Sequence, residues 1–330
     1  MSDSGPSTSA LERFLRYVTI DTQAAEQSTT YPSTPGQLVL LNQLVVELKA
    51  IDVEDASIDE HGYVMATIPA TTSKPTVPVI GFLAHVDTSP DMPGKDVKPI
   101  AHRNYDGSDL TLPDDPTAVL RVAEDPALAA RIGDDIVTAS GTTLLGADDK
   151  AGVAEIMAAA EHLMAHPEIP HGAVRIGFTP DEEVGRGTEY FDVAKFGAIC
   201  AYTLDGSSRG ELETESFSAD SMRVTFQGFN THPGYAKGRM VNTIKVASDF
   251  VTRLPAERLS PETTAEREGY VHPLQLDASV DRTTVTLLLR DFDTAKLAEQ
   301  AEMIERLARG SAAPHPGARV EVDVAESYRN

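Results

Sequence analysis

Read for the alternation of apolar and polar positions, the chain falls into periodic stretches separated by polar turns. Leu11, Phe14, Leu15 and Val18 recur at the spacing of a helix face, and Leu38, Leu41, Val45 and Leu48 do so again. Thr34, Pro35 and Gln37 ahead of the second stretch supply an N-cap, a first-turn proline and an N3 glutamine, which predict a helix start. Residues 56–59 and 63–68 flank Glu60, His61 and Gly62 and predict a hairpin. Apolar runs over 77–84, 173–178 and 198–204 read as buried strands, and 151–165 as a helix. Apolar and β-branched residues also run up to Leu145, where Gly146 predicts a further strand end and a turn into that helix. Strands separated by helical segments define an α/β domain with a mixed, mostly parallel sheet. Residues 88–135, rich in Pro, Asp and Gly and without sustained period, predict a long excursion of short elements near a site.

After Gly210 the pattern changes. Alternating strands are predicted over 221–227, 283–289 and 319–325, with helices over 241–254 and 294–308. Two helices on a small sheet make an α+β module inserted after the last strand of the first domain. The predicted division is a catalytic domain over 1–213, an inserted lid over 214–327, and the start of a return over 328–330.

The polar residues that interrupt the first domain are not random. Its strands are predicted to end in His85 and Asp87, in Asp148 and Asp149, in Glu182 and Glu183, and in Asp205. In open α/β sheets the ligand crevice lies outside the carboxyl ends of the strands, so these residues can converge. Taken alone, Asp148 and Asp149 are well placed to cap the helix that follows them. Four such strand ends in one domain are hard to explain as turns. So many carboxylates repel unless cations neutralise them, and a mixed His and carboxylate set suits zinc or another first-row divalent metal. In the second module His232 lies in the turn Asn230-Thr-His-Pro-Gly234, and Arg290 closes a strand. Either is turn chemistry as readily as function.

Composition narrows the partners. The 330 residues carry 28 Lys and Arg against 51 Asp and Glu, a net charge of −23 that argues against nucleic acid or an anionic membrane surface. Cys200 is the single cysteine, which excludes an intrachain disulfide and suits a reducing, cytoplasmic setting. Residues 1–10 read as a disordered tail with neither a basic n-region nor an apolar core, and the stretch over 38–48 is too short to span a bilayer.

His85-Val-Asp87, Leu144-Leu-Gly-Ala-Asp-Asp-Lys-Ala-Gly152, Thr179-Pro-Asp-Glu-Glu183, Tyr202-Thr-Leu-Asp205 and Asn230-Thr-His-Pro-Gly234 together resemble the co-catalytic zinc peptidases of the M20 family, and most of all its tripeptide aminopeptidase branch. The resemblance implies a zinc-peptidase catalytic domain with two zinc ions per subunit and a short peptide as substrate. It implies that His85 and Asp205 hold one metal, Glu183 helps hold the other, and Asp148 bridges both. Asp87 would orient His85, Glu182 would be the general base, and His232 and Arg290 would reach the substrate. Asp149 and Lys150 remain helix-start residues. Members of the family supply a last histidine ligand after the lid. Here no histidine beyond His232 has that context, so the chain reads as C-terminally truncated and its activity as in question. A sibling dipeptidase or deacylase, or a metal-binding remnant without catalysis, shares the same metal core.

Overall fold

The computed structural model describes residues 9–206, 208 and 210–330, so the reading of the N-terminal tail falls outside the described residues up to residue 8. The chain divides into two units, Met1–Gly210 and Glu211–Asn330.

In the first unit α1 (Ala10–Tyr17) opens on a capping box: Ser9 Oγ accepts the Glu12 N–H at 3.1 Å while the Glu12 carboxylate accepts the Ser9 N–H at 2.9 Å. α2 (Pro35–Ala50) starts where proline and Thr34 predict it, but no capping box forms. Thr34 Oγ1 donates to the Gln23 carbonyl, and the Gln37 amide turns away to Asp181. β1 (Ser57–Ile58) and β2 (Val64–Ile68) make the predicted hairpin. β3 (Ile80–His85) begins later than its apolar run, because Pro78 has no N–H to give a ladder.

The excursion that follows holds only short elements: β4 (Ile100–His102), β5 (Leu110–Leu112), β6 (Asp115–Leu120), α3 (Pro126–Ala129) and β7 (Ile136–Thr138). β4 pairs with β7 and β5 with β6 in separate antiparallel ribbons. The strand predicted to end at Leu145 does not form. Residues 139–146 are irregular, and the Leu144 N–H donates to the Pro93 carbonyl rather than to a ladder. A short β-prone run becomes a strand only where a neighbour offers its edge. α4 (Ala147–Ala165), β8 (Val174–Thr179), α5 (Val193–Phe196) and β9 (Cys200–Thr203) complete the unit.

Its main sheet has the order β1-β2-β8-β3-β9. β2 runs antiparallel to β1 and β8, whereas β8, β3 and β9 are mutually parallel neighbours. Val64, Ala66 and Ile68 on β2 and Val174, Ile176 and Phe178 on β8 point to the same face at period two. There they meet Leu40, Leu44 and Leu48 of α2 and Val153, Met157 and Ala160 of α4 in one core. On the other face Phe196 sits against Gly81 of β3 and Gly177 of β8, where any Cβ would collide with its ring or with Leu83.

The second unit is a four-stranded antiparallel sheet, order β11-β12-β10-β13, built from β10 (Ser218–Gln227), β11 (Tyr270–Ala278), β12 (Arg282–Asp291) and β13 (Arg319–Tyr328). α6 (Thr243–Arg253) and α7 (Thr294–Ala312) cover one face. Val246, Phe250, Leu297 and Ile304 there pack on Met222, Val224, Phe226, Val285, Leu287 and Leu289. β11 is the strand the periodicity does not predict, since it carries Pro273. It lies at the edge of the sheet, where proline is tolerated, and its register to β12 shifts just after that residue.

Candidate metal centre and active site

Because β8, β3 and β9 are parallel neighbours, their carboxyl ends lie side by side, and the residues just past them come together. β3 ends at His85 with Asp87 following. β8 leads into Asp181, Glu182 and Glu183, and β9 leads into Asp205. Asp148 arrives differently from the sequence reading, from the irregular start of α4 rather than from a strand end. Gly146 takes φ 79° there, and Asp148 and Asp149 depart from helical backbone angles.

His85 is the centre of the cluster. Its Nε2 lies 2.9 Å from Asp148 Oδ1 and 3.8 Å from both Asp205 Oδ2 and Glu182 Oε2. One donor atom each from His85, Asp148 and Asp205 lie within 4.8 Å of one another. The other ring nitrogen, Nδ1, faces Asp87, at 3.1 Å from its carbonyl oxygen and 3.3 Å from Oδ1. That leaves Nε2 directed at the carboxylates. The fully buried Asp87 carboxylate does a second thing: Oδ1 accepts the Glu182 N–H and Oδ2 the Glu183 N–H, each at 3.0 Å. One side chain thus ties the end of β3 to the turn after β8.

Asp149, read from sequence as a helix-start residue, is that and more. Its Oδ1 accepts the Gly152 N–H at 3.2 Å, capping the regular part of α4, while its Oδ2 accepts the His85 backbone N–H at 3.1 Å. Lys150 is buried, with Nζ donating to the Ile20 carbonyl at 2.8 Å. No spacing or periodicity distinguished these two from ordinary first-turn residues. Their roles depend on chain segments more than sixty residues away. Asp181, with Ser33 and Gln37, was equally hidden inside what reads as a turn and a cap.

The electrostatics of the metal-free cluster are those of crowded carboxylates. Burial and the Asp148 charge push Glu183 up to about 7. Burial, with Asp148 and Glu182 adding repulsion against the attraction of His85, pushes Asp205 up to about 6. Burial pushes Asp149 up to about 8. Burial would lower His85, but its hydrogen bonds to Asp148 and Asp87 outweigh it and raise the imidazole to about 11. The bond to His85 holds Asp148 low. A site that holds protons against this much repulsion, with an imidazole nitrogen among carboxylate oxygens, has the donor set and the charge deficit that divalent cations satisfy.

The two second-unit residues sit in their own surroundings. His232 is exposed at the head of a short 3-10 turn, its Nδ1 accepting the Gly234 N–H at 3.1 Å. Arg290, near the end of β12, has its guanidinium 5.8 to 5.9 Å from the ring centres of Phe217, Tyr270 and Tyr328.

A parallel-strand crevice lined by one histidine and several carboxylates is the site plan of a metal-dependent hydrolase. The description "Peptidase dimerisation domain" of the M20 peptidases matches residues 214–316. Curated relatives named peptidase T include one from Listeria monocytogenes serotype 4a (strain HCC23), 48% identical over 97% of this chain and 78% of its own length. Another, from Bacillus licheniformis, is 49% identical over the same shares. Among solved structures, the aminopeptidase PepT of Bacillus cereus superposes with a TM-score of 0.69 at 22% identity, covering 97% of this chain and 76% of that one. A dinuclear metal binding peptidase from the M20 family, of Bacillus subtilis, gives 0.57 at 15% identity over 97% and 74%. The chain belongs to the peptidase T family of M20 metallopeptidases and is a peptidase. Among the described residues no helix is long and apolar enough to cross a membrane.

Proposed function

We propose that this protein is a zinc-dependent aminopeptidase that removes the N-terminal residue of tripeptides in the cytoplasm. The observation that carries the reading is the convergence of Asp148, Asp205 and Glu182 on Nε2 of His85, with His85, Glu182 and Asp205 coming from the ends of adjacent parallel strands and Asp148 from the start of α4. His85 and Asp205 would hold one zinc ion, Glu183 would contribute to a second, and Asp148 would bridge them. Zinc held there would supply Lewis acidity toward the scissile carbonyl and toward the attacking water.

The chain's own groups do the rest. Asp87 keeps Nε2 of His85 directed inward by occupying Nδ1, a partner that fixes both tautomer and ring orientation. It also fixes the backbone of Glu182 and Glu183, so that two adjacent carboxylates point at different tasks. Glu182, exposed to the crevice, takes the proton of the attacking water and returns it to the departing amine. His232 and Arg290 belong to a lid and bind the peptide, Arg290 as the fixed cation for a carboxylate or carbonyl oxygen.

The test is a substrate panel with the zinc-loaded protein: tripeptides with free and acetylated N-termini, dipeptides and N-acyl amino acids. Release of the first residue from free tripeptides alone is expected. Preference for dipeptides or acyl amino acids would assign a sibling activity instead, and zinc binding without hydrolysis of any of them would overturn the catalytic reading.

A further inference from the structure

Asp181 precedes the two glutamates, has a fully buried side chain, and takes no part in the chemistry just described. Its carboxylate accepts the Ser33 N–H at 2.7 Å on one oxygen and, on the other, the Ser33 hydroxyl and the Gln37 amide, the latter at 2.7 Å. Its own N–H donates to Gln37 Oε1 at 3.1 Å, so the Gln37 amide grips both its backbone and its side chain. Ser33 and Gln37 are themselves buried, just before and within the first turn of α2. Asp181 sits at φ 57°, a left-handed conformation that few residues other than Gly, Asn and Asp adopt readily.

The turn that Asp181 opens is closed by the Arg186 N–H on the Asp181 carbonyl at 2.9 Å and by the Gly185 N–H on the Glu182 carbonyl at 2.7 Å. Its far side is held by Tyr31 Oη on the Arg186 carbonyl at 3.1 Å and by Tyr63 Oη on the Gly187 carbonyl at 3.2 Å.

The Glu182 and Glu183 backbone is therefore clamped from two directions. Asp87 takes both amides from the β3 side, and Asp181 anchors the residue before them to α2. We propose that Asp181, gripped by Ser33 and Gln37, is a positioning residue that sets where the Glu182 carboxylate stands and so how fast it transfers its proton. The proposal rests on Glu182 being the base. A shift of about 1 Å in such a group is enough to cost about 10²-fold in rate. An isosteric amide at 181 keeps the size and tolerates the left-handed backbone, but sets an NH2 group against either the Ser33 N–H or the Gln37 NH2, where only acceptors fit.

The experiment uses Asp181→Asn and Gln37→Met, the latter removing the grip from α2 while leaving every residue of the turn in place, each made alone and in a Glu182→Gln background. In the zinc-loaded protein each single variant is expected to lower kcat by about 10- to 10²-fold with KM within about twofold. In the Glu182→Gln background the same change should cost nothing further, because it acts through the missing base. In the metal-free protein, amide exchange over residues 182–187 should quicken while that of β2 and β8 does not. Unchanged kcat in a folded variant, or an equal loss in both backgrounds, would overturn the proposal. Should Asp181→Asn fail to fold, Gln37→Met carries the same comparison. If Glu182→Gln by itself leaves kcat intact, it is the assignment of the base that fails, and the exchange measurement still decides whether Asp181 holds the turn.

Discussion

Glu182 and Glu183 are neighbours with the same side chain, both held at the backbone by Asp87, and the proposed mechanism gives them different tasks. Glu182→Gln keeps the shape and removes the proton acceptor. It should lower kcat by about 10²–10⁴-fold, the usual worth of a positioned acid or base, with zinc content by elemental analysis unchanged. Loss of zinc instead would mean that the two glutamates exchange roles. Asp149 offers a contrasting case, since its two bonds are to backbone N–H groups of His85 and Gly152 in a buried place. Asp149→Ala strands both donors, each costing about 1–3 kcal/mol when buried without a partner. Relief of the Asp149 desolvation offsets part of that cost. A net destabilisation of about 2 kcal/mol in urea unfolding is expected, together with weaker zinc binding as the His85 backbone is freed.

At the scale of elements, the site depends on how closely α4 approaches the segment after β9. Gly152 makes that approach: a Cβ there would stand 2.1 Å from the Leu204 carbonyl oxygen and 2.4 Å from Asp149 Oδ1. Gly152→Ala must push α4 away from Leu204 and hence Asp148 away from Asp205. Overpacking of this kind costs about 3 kcal/mol, and zinc affinity should fall with it. Equilibrium unfolding and a zinc titration of the same sample check both, and a variant with unaltered stability would show that α4 can yield without cost. Helices and strands themselves were largely legible, because α1 and α2 carry apolar faces, β3 and β8 lie in apolar runs and a polar turn separates β1 from β2. The strand predicted before Gly146 and the strand missed at β11 fail for one reason. Whether a β-prone or proline-bearing run becomes a strand is decided by the edge available beside it, and a sequence window does not contain that edge.

For the whole molecule the clustered charges make stability depend on pH, and the sign follows from which state holds more protons. Asp205, Glu183 and Asp149 stand at about 6, 7 and 8 in the metal-free fold against ordinary values of 3.8, 4.5 and 3.8. Between about pH 4 and 8 the folded chain thus binds more protons than the unfolded one, and stability falls as pH rises. His85, raised from 6.5 to about 11, adds to the fall above neutrality, since its protonated form is favoured by folding and is lost as pH climbs. Asp148, held low, opposes the trend only at the acid end. The chelated protein should therefore unfold at higher urea concentration at pH 5.5 than at pH 8. Zinc should flatten or reverse the slope, because it replaces those protons and binds more tightly as they leave. A metal-free protein more stable at pH 8 would contradict the crowding of these carboxylates.

The local pattern determined a good deal by itself. Period and cap residues predicted most helices and strands. Their alternation predicted an α/β unit followed by an α+β unit, and the polar residues past the apolar runs marked His85, Asp87, Asp148, Asp149, Glu182, Glu183 and Asp205 together, while only the family resemblance chose among them. What only the tertiary structure decided was every relation between distant segments. Asp87 reaching the Glu182 and Glu183 amides, Asp149 reaching the His85 amide, and Ser33 and Gln37 enclosing Asp181 join residues separated by 64 to 148 positions. A buried carboxylate and a turn carboxylate are the same letter in the chain. The difference between them lies in which donors the fold brings to meet them, and that is set by the order and direction of β8, β3 and β9 rather than by any neighbour in sequence.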